Sequence, residues 1–290
     1  MSKILRLLRT KQWVKNTLVF AAMLFSHRFL DTQSWYNTIQ IFFGLSFVAS
    51  AVYIVNDIFD VESDRKHPVK RFRPIAAGTV SIPFALVIAF VMAGAGLFLA
   101  YLINDITFVV LLGYLIVMLL YSVYLKNIIF LDILIIASGM TARAVLGAES
   151  IDVVISPWLM VCTFLIALML ALVKRRQELA RAGYDYVYTR KNLIQAPDVQ
   201  IWDNWISSIA GITILAYILY TVDDATVAKV GSTRLIYTVP FVIYAIFRYL
   251  IKVYKANQGE DPTDTLIRDR PMWLVVLLWM AAVILIFSLR

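Results

Sequence analysis

Apolar runs of membrane-crossing length alternate with short polar joints along most of the chain. Phe84 to Leu102 carries no charged residue, and neither does Thr107 to Leu125. Each approaches the ~20 residues that cross a hydrocarbon core as a helix. Breakers and polar clusters such as Asn104-Asp105, Ser156-Pro157 and Asp223-Asp224 mark the joints. Read this way, the pattern predicts nine membrane helices, at 13–30, 35–55, 82–103, 106–124, 129–148, 155–173, 201–221, 235–254 and 271–289. The expected fold class is an all-α polytopic membrane protein, with residues 1–290 forming a single membrane-embedded domain. No second soluble domain, low-complexity linker or strong short-period repeat interrupts the pattern. The second and sixth predicted helices both run into basic polar loops, a weak pseudo-repeat.

Composition agrees with the pattern. Hydrophobic residues make up 61% of the chain and charged residues 16%, against roughly 45–50% and about 25% in soluble domains. The formal net charge of +8 would suggest nucleic-acid binding in a soluble protein. Here its placement reads as topology, and no nucleic-acid partner is expected. With the N-terminus in the cytosol, Lys and Arg gather in the cytosolic joints, and only Arg28, Lys229, Arg234 and Arg290 fall on the other side. The C-terminus is then outside. The basic start, Met1 to Lys15, lacks the short apolar core and cleavage site of a signal peptide. The lone Cys162 excludes an intramolecular disulfide, and its apolar surroundings argue against a metal-thiolate site.

The chemistry gathers where the second predicted helix ends. Asn56, Asp60 and Asp64 follow at i, i+4 and i+8, on one face of a helix, with Asp57 beside them. Like charges so spaced repel and favour a cation. Their oxygen donors suit Mg²⁺, which keeps waters and bridges to substrate phosphates. A solvated acidic helix end is the plain alternative. Tyr53 lies one turn earlier, either facing the same site or packing. Next come Arg65, Lys66, Lys70, Arg71 and Arg73, and acid beside dense base suits a metal-bound polyphosphate. Topology or lipid headgroups would account for any one of these cations. His67, before Pro68, reads as structural. With only two histidines present, histidine acid–base catalysis is not expected.

Other cations close other predicted helices: Lys11 and Lys15, then Lys126 after Tyr121, then Lys174 and Arg175 with Glu178. Arg143 differs, because it lies within an apolar helix, where a charge is costly and usually faces an interior cavity. Asp132, three turns earlier, is not expected to pair with it. Gly259 to Asp264 and Arg268-Asp269-Arg270 read as a solvated loop.

The Asn-Asp-x-x-Asp-x-x-x-Asp spacing from Asn56 to Asp64, with nine helices and polar cytosolic loops, resembles the UbiA superfamily of intramembrane prenyltransferases. The resemblance implies a UbiA-like bundle. It also implies Mg²⁺ held by Asn56, Asp57, Asp60 and Asp64 on a substrate diphosphate, with Asp57, Asp60 and Asp64 as the catalytic carboxylates. Tyr121 to Lys126 is similar to the family's tyrosine–lysine stretch. Where aromatic-accepting members carry a second Asp-rich motif, this chain reads Lys174-Arg175-Arg176-Gln177-Glu178. That departure, with Lys11 to Asn16, His67 to Ile75 and Arg268-Asp269-Arg270, looks more like the decaprenyl-phosphate phosphoribosyltransferase branch. Membership there implies transfer of 5-phosphoribose from phosphoribosyl diphosphate to a polyprenyl phosphate for arabinan cell-wall precursors, in a bacterial inner membrane with the site facing the cytosol. Lys11, Lys15, Tyr53, Lys66, Lys70, Arg71, Tyr121, Lys126, Arg143, Lys174, Arg175 and Glu178 are the expected substrate-binding residues. A basic second site suits an anionic lipid phosphate on charge alone. The competing readings are prenyl transfer to an aromatic acceptor and anion transport. Aromatic-rich helices leave a homo-oligomer open.

Overall fold

A computed structural model describes residues 3–26, 28–128, 130–154, 156–182, 198–255 and 269–288, and the regular structure among them is helical. Among the described residues, eight helices are long and apolar enough to cross a membrane. We number their α-helical parts α1 (Thr32–Phe59), α2 (Ile82–Tyr101), α3 (Asp105–Val123), α4 (Leu131–Glu149), α5 (Pro157–Ala182), α6 (Val199–Val222), α7 (Val239–Lys255, entered through the 3-10 turn Thr233–Thr238) and α8 (Arg270–Ser288). Capping residues fix several starts. Asp31 accepts from the amides of Gln33 and Ser34, both at 3.2 Å, ahead of α1. Asn104 accepts from the Thr107 amide at 2.7 Å ahead of α3. On α2 many large apolar side chains face outward, Phe90 being 82% exposed, which is unfavourable in water and suits lipid.

Two helices outrun their predicted ends. α1 continues to Phe59 and so carries Asn56 and Asp57 within it. α5 continues to Ala182, so Lys174 to Glu178 lie on a helix instead of in a loop.

The first predicted helix, 13–30, is not one α-helix, so the nine expected spans become eight plus a tighter segment. Thr10–Phe20 winds as a 3-10 helix and Ala21–Phe25 as α. The reason is legible in what it packs against. A 3-10 helix has 3.0 residues per turn, so residues three apart share one line. Trp13, Asn16 and Val19 form that line: Trp13 Nε1 donates to Ser50 Oγ at 3.0 Å, and Asn16 Nδ2 to Ser46 Oγ at 2.9 Å. Val19 lies against Gly147 of α4. At ~2.0 Å rise for the 3-10 part and ~1.5 Å for the α part, residues 10–25 reach about 30 Å, the thickness of a hydrocarbon core.

The described residues divide into two compact units, one up to Val154 and one from Ser156 onward. In the first, α1 packs on α2 and α3, and α4 packs on α3 and the 3-10 segment. Ile41, Leu45, Val48, Leu111 and Leu146, all fully buried, form its core. In the second, α5 packs on α6, and α7 on α6 and α8. The Tyr217 hydroxyl there accepts from Trp279 Nε1 at 2.9 Å and shares a 2.7 Å hydrogen bond with Thr238.

Two crossings depend on the absence of a side chain. A Cβ on Gly96 would lie 2.4 Å from the Gly44 carbonyl oxygen, and one on Gly147 would lie 2.0 Å from that of Val19. Both neighbours are backbone and have no rotamer to move. Gly96→Ala and Gly147→Ala are each expected to destabilise the protein by about 1–3 kcal/mol. Gly113→Ala, with open space around it, is expected to be neutral or slightly stabilising. Thermal unfolding of detergent-solubilised variants checks all three, and equal melting temperatures would refute the close crossings.

Candidate functional site

The acidic row begins inside α1 and passes through its end. Asp60 leaves helical geometry (φ −92°, ψ 3°), and a short helix, Val61–Lys66, follows. Four-residue hydrogen bonding survives the break: the Asp60 amide donates to the Asn56 carbonyl at 3.0 Å, and the Asp64 amide to the Asp60 carbonyl at 2.8 Å. The side chains nevertheless do not form the single row Asn56, Asp60, Asp64 expected from spacing. They split into two ion-paired groups, because the cations that answer them come from different directions.

Asn56 and Asp60 form the first group. Lys126, in the turn Leu125–Asn127 after α3, donates from Nζ to Asp60 Oδ1 at 2.6 Å and to Asn56 Oδ1 at 3.3 Å. Asn56 Nδ2 closes the triangle on Asp60 Oδ2 at 2.9 Å. Asp57 and Asp64, both buried, form the second. Arg73 Nη1 donates to Asp57 Oδ1 at 3.1 Å and to Asp64 Oδ2 at 2.6 Å. Arg9 also pairs with Asp57, and its guanidinium lies 5.0 Å from the ring centroid of Tyr53. Buried carboxylates without such partners cost several kcal/mol each. Arg9 holds its position in the left-handed region, at φ 51°, a conformation costing roughly 1–2 kcal/mol outside glycine.

The rest of the basic run is arranged around this core. Lys66 and Arg71 are exposed, with Arg71 stacked 4.9 Å over Phe72, and Lys70 is half-buried. His67 Nδ1 accepts from the amides of Val69 (3.2 Å) and Lys70 (3.3 Å). Burial and the Lys70 cation push its pKa below the ordinary histidine value, consistent with a structural neutral imidazole. Tyr121 donates its hydroxyl to Asp132 Oδ1 at 2.7 Å. Lys11 is exposed and Lys15 half-buried on the 3-10 segment.

Arg143 makes its contacts elsewhere. It is 6% exposed, and all three guanidinium nitrogens donate within the first unit. Nε reaches Asn16 Oδ1 at 2.9 Å, Nη2 the Tyr114 hydroxyl at 3.0 Å, and Nη1 the Gly139 carbonyl. The guanidinium also lies 5.4 Å from the Tyr114 ring centroid. This intramembrane charge ties α4 to α3 and to the 3-10 segment, while Asp132 accepts from Tyr121.

In the second unit the basic end of α5 is largely answered by acids. Arg175, 2% exposed, pairs with Glu178 one turn on. Arg176 makes two hydrogen bonds to Asp203, at 2.9 and 3.2 Å, and lies 5.2 Å over Tyr254. Lys174 is exposed. Arg248 of α7 holds Asp269 through two bonds, at 3.0 and 2.9 Å, which keeps that carboxyl below its ordinary pKa. Gly259 to Asp264 and Arg268 lie outside the described residues. Sequence reasoning missed Arg9 as a partner of Asp57, Asn16 as the partner of Arg143, and the Arg248–Asp269 pair. A lone amide within an apolar segment was the available signal for Asn16.

Helices of membrane length, with carboxylates and cations interleaved at the end of α1, define an integral all-helical membrane protein with a charged site. Residues 17–268 match the UbiA prenyltransferase family, and the chain belongs to that family. It is 33% identical to the decaprenyl-phosphate phosphoribosyltransferase of Mycobacterium tuberculosis, over 97% of this chain and 92% of that one. It is 31% identical to the enzyme of that name from Mycolicibacterium smegmatis, over 97% and 91%. Among solved structures it superposes on a UbiA homolog from Archaeoglobus fulgidus bound to DMAPP and Mg²⁺, with TM-score 0.75, 18% identity and full coverage of both chains. The fold is therefore that of UbiA.

Among the described residues, no three His, Cys, Asp or Glu side chains gather as a ready metal cage. The donors present still fit Mg²⁺. Asn56 and Asp60 oxygens already converge on a cation, the Lys126 ammonium, and Mg²⁺ is commonly held by one or two carboxylates together with substrate phosphates.

The Arg143 contacts yield a test. Arg143→Leu strands the buried Asn16 oxygen and should cost about 1–3 kcal/mol. Arg143→Leu with Asn16→Leu should recover part of that loss. Melting temperatures of the two single variants and the double variant measure the coupling, and strictly additive losses would refute it.

Proposed function

We propose that this protein transfers the 5-phosphoribosyl group of phosphoribosyl diphosphate to a polyprenyl phosphate, releasing diphosphate, as a step toward arabinan cell-wall precursors. The observation that supports this most is the interleaving at the end of α1. Three carboxylates and an amide stand among Arg9, Arg73 and Lys126, in a chain similar over 97% of its length to proteins named for this reaction.

In the reaction the C1–O bond to diphosphate breaks, and its electron pair leaves with the diphosphate. An oxygen of the acceptor phosphate forms the new bond to C1. That phosphate is ionised at neutral pH, so no strong general base is required. Bound Mg²⁺, held by Asn56, Asp60 and Asp57 or Asp64, supplies charge neutralisation for the leaving diphosphate. Lys126, beside Asp60, donates to a phosphate oxygen. Lys66, Lys70 and Arg71 clamp the remaining charge, and Tyr121 is steadied by Asp132. Lys11 and Lys15 guide the lipid headgroup. In the second unit, exposed Lys174 offers a cation to an anionic acceptor, and Arg175 is oriented by Glu178. Arg143 serves the site by holding the 3-10 segment.

The proposed setting is a bacterial inner membrane, with the N-terminus and the site in the cytosol and the C-terminus outside. The ~30 Å reach of residues 10–25 supports a crossing there, and that crossing gives the odd number this topology needs.

Purified protein given radiolabelled phosphoribosyl diphosphate, polyprenyl phosphate and Mg²⁺ is expected to form a labelled lipid. Asp60→Asn is expected to lower turnover at least ~10²-fold while leaving the melting profile intact. Near wild-type activity of that variant would remove the carboxylate from the mechanism. Transfer seen only with a prenyl diphosphate and an aromatic acceptor would replace the reading with the other chemistry of the superfamily.

A further inference from the structure

Carboxylates and cations at the end of α1 are matched one for one. Among the described residues, Asp57 pairs with Arg9 and Arg73, Asp64 with Arg73, and Asp60 with Lys126. The charges of these six side chains cancel. A divalent ion joining them unaccompanied brings two uncompensated positive charges, and a diphosphate arriving with it removes that excess.

The three cations differ in how readily they give way. Arg73 bridges two buried carboxylates from one nitrogen, at 3.1 and 2.6 Å, and Arg9 is fixed on Asp57 and beside the Tyr53 ring. A guanidinium is a rigid planar fork, whereas a lysine ammonium is a point charge on a flexible stem. Lys126 pairs with Asp60, whose side chain is 25% exposed and so open to an incoming ligand. Its ammonium also meets the Asn56 amide oxygen at 3.3 Å. It thus stands on the oxygens of Asn56 and Asp60 that suit Mg²⁺. Those two side chains leave most of an octahedral Mg²⁺ shell to water and substrate phosphate. Lys126 is itself buried, so it gives up Asp60 only for another anion.

We propose that Lys126 is an exchangeable counter-ion, which leaves Asp60 as the metal arrives and passes to an oxygen of the incoming diphosphate. Metal and diphosphate then bind weakly alone and strongly together, each raising the affinity for the other by the same factor. This rests on the metal site proposed above and not on which group the diphosphate carries.

Equilibrium dialysis of the purified full chain against radioactive Mn²⁺, or against radiolabelled inorganic diphosphate, tests it. In the wild type, Mn²⁺ should raise the affinity for diphosphate at least ~10-fold. Lys126→Met should bind Mn²⁺ alone at least ~10-fold more tightly than the wild type, because the ammonium no longer repels the ion, and should bind diphosphate more weakly. A lysine that only braced its turn, or only contacted phosphate, would leave the affinity for Mn²⁺ alone unchanged. Adding Asp60→Asn to Lys126→Met should abolish the gain in Mn²⁺ binding. Lys126→Gln, which keeps a hydrogen-bond donor near Asp60, gives the same reading if Lys126→Met does not fold. The inference is overturned if Mn²⁺ leaves wild-type diphosphate binding unchanged, or if the Lys126 variants bind Mn²⁺ no more tightly than the wild type. Absence of Mn²⁺ binding in every arm overturns the metal site with it. Interdependent binding, without labelled lipid from phosphoribosyl diphosphate, upholds the inference and removes the proposed reaction.

Discussion

Four polar residues at the end of one membrane helix are held by cations from three distant parts of the first unit. Arg9 precedes the 3-10 segment, Arg73 ends the basic run, and Lys126 follows α3. Their partners lie within nine residues of one another, Asn56 to Asp64. Carboxylates packed this closely repel, and two of them are buried. The fold therefore needs its cations as much as any ligand would. That constraint explains why the segment before α1, the loop after it and the turn after α3 all close on one place.

The same economy operates deeper in the unit. Arg143 would be costly alone among apolar side chains. Asn16, Tyr114 and the Gly139 carbonyl give each of its three guanidinium nitrogens a hydrogen bond, and Asn16 in turn reaches Ser46. A chain of polar contacts thus crosses from α4 through the 3-10 segment to α1. The same charge acts as a clasp between helices. The ion pairs of the second unit, Arg175–Glu178, Arg176–Asp203 and Arg248–Asp269, likewise convert a basic surface into internal connections.

Much of this was legible in the sequence. Unbroken apolar runs located α1 to α8, because a membrane permits few alternatives to a helix. The acidic cluster stood out because charge ending an apolar run has few structural uses. Pairing was not legible. Nothing in the spacing of Asp57 and Asp64 says that one guanidinium, Arg73, serves both, and Arg9 lies 48 residues from Asp57. The 3-10 segment was misread for a related reason. Apolar content marks a crossing but not its pitch, and the three-residue line of Trp13, Asn16 and Val19 becomes meaningful only once Ser50, Ser46 and Gly147 are seen opposite.

That pitch has a mechanical side. Thr10–Phe20 hangs between two fixed points, Arg9 on Asp57 at one end and Val19 on Gly147 at the other. The same eleven residues wound as an α-helix would be about 5 Å shorter. The overwound form is thus the length that lets Arg9 span to the acidic end of α1. Winding and charge placement are one variable here, and a single residue added to or removed from the segment would turn the contacts beyond it by about a third of a revolution.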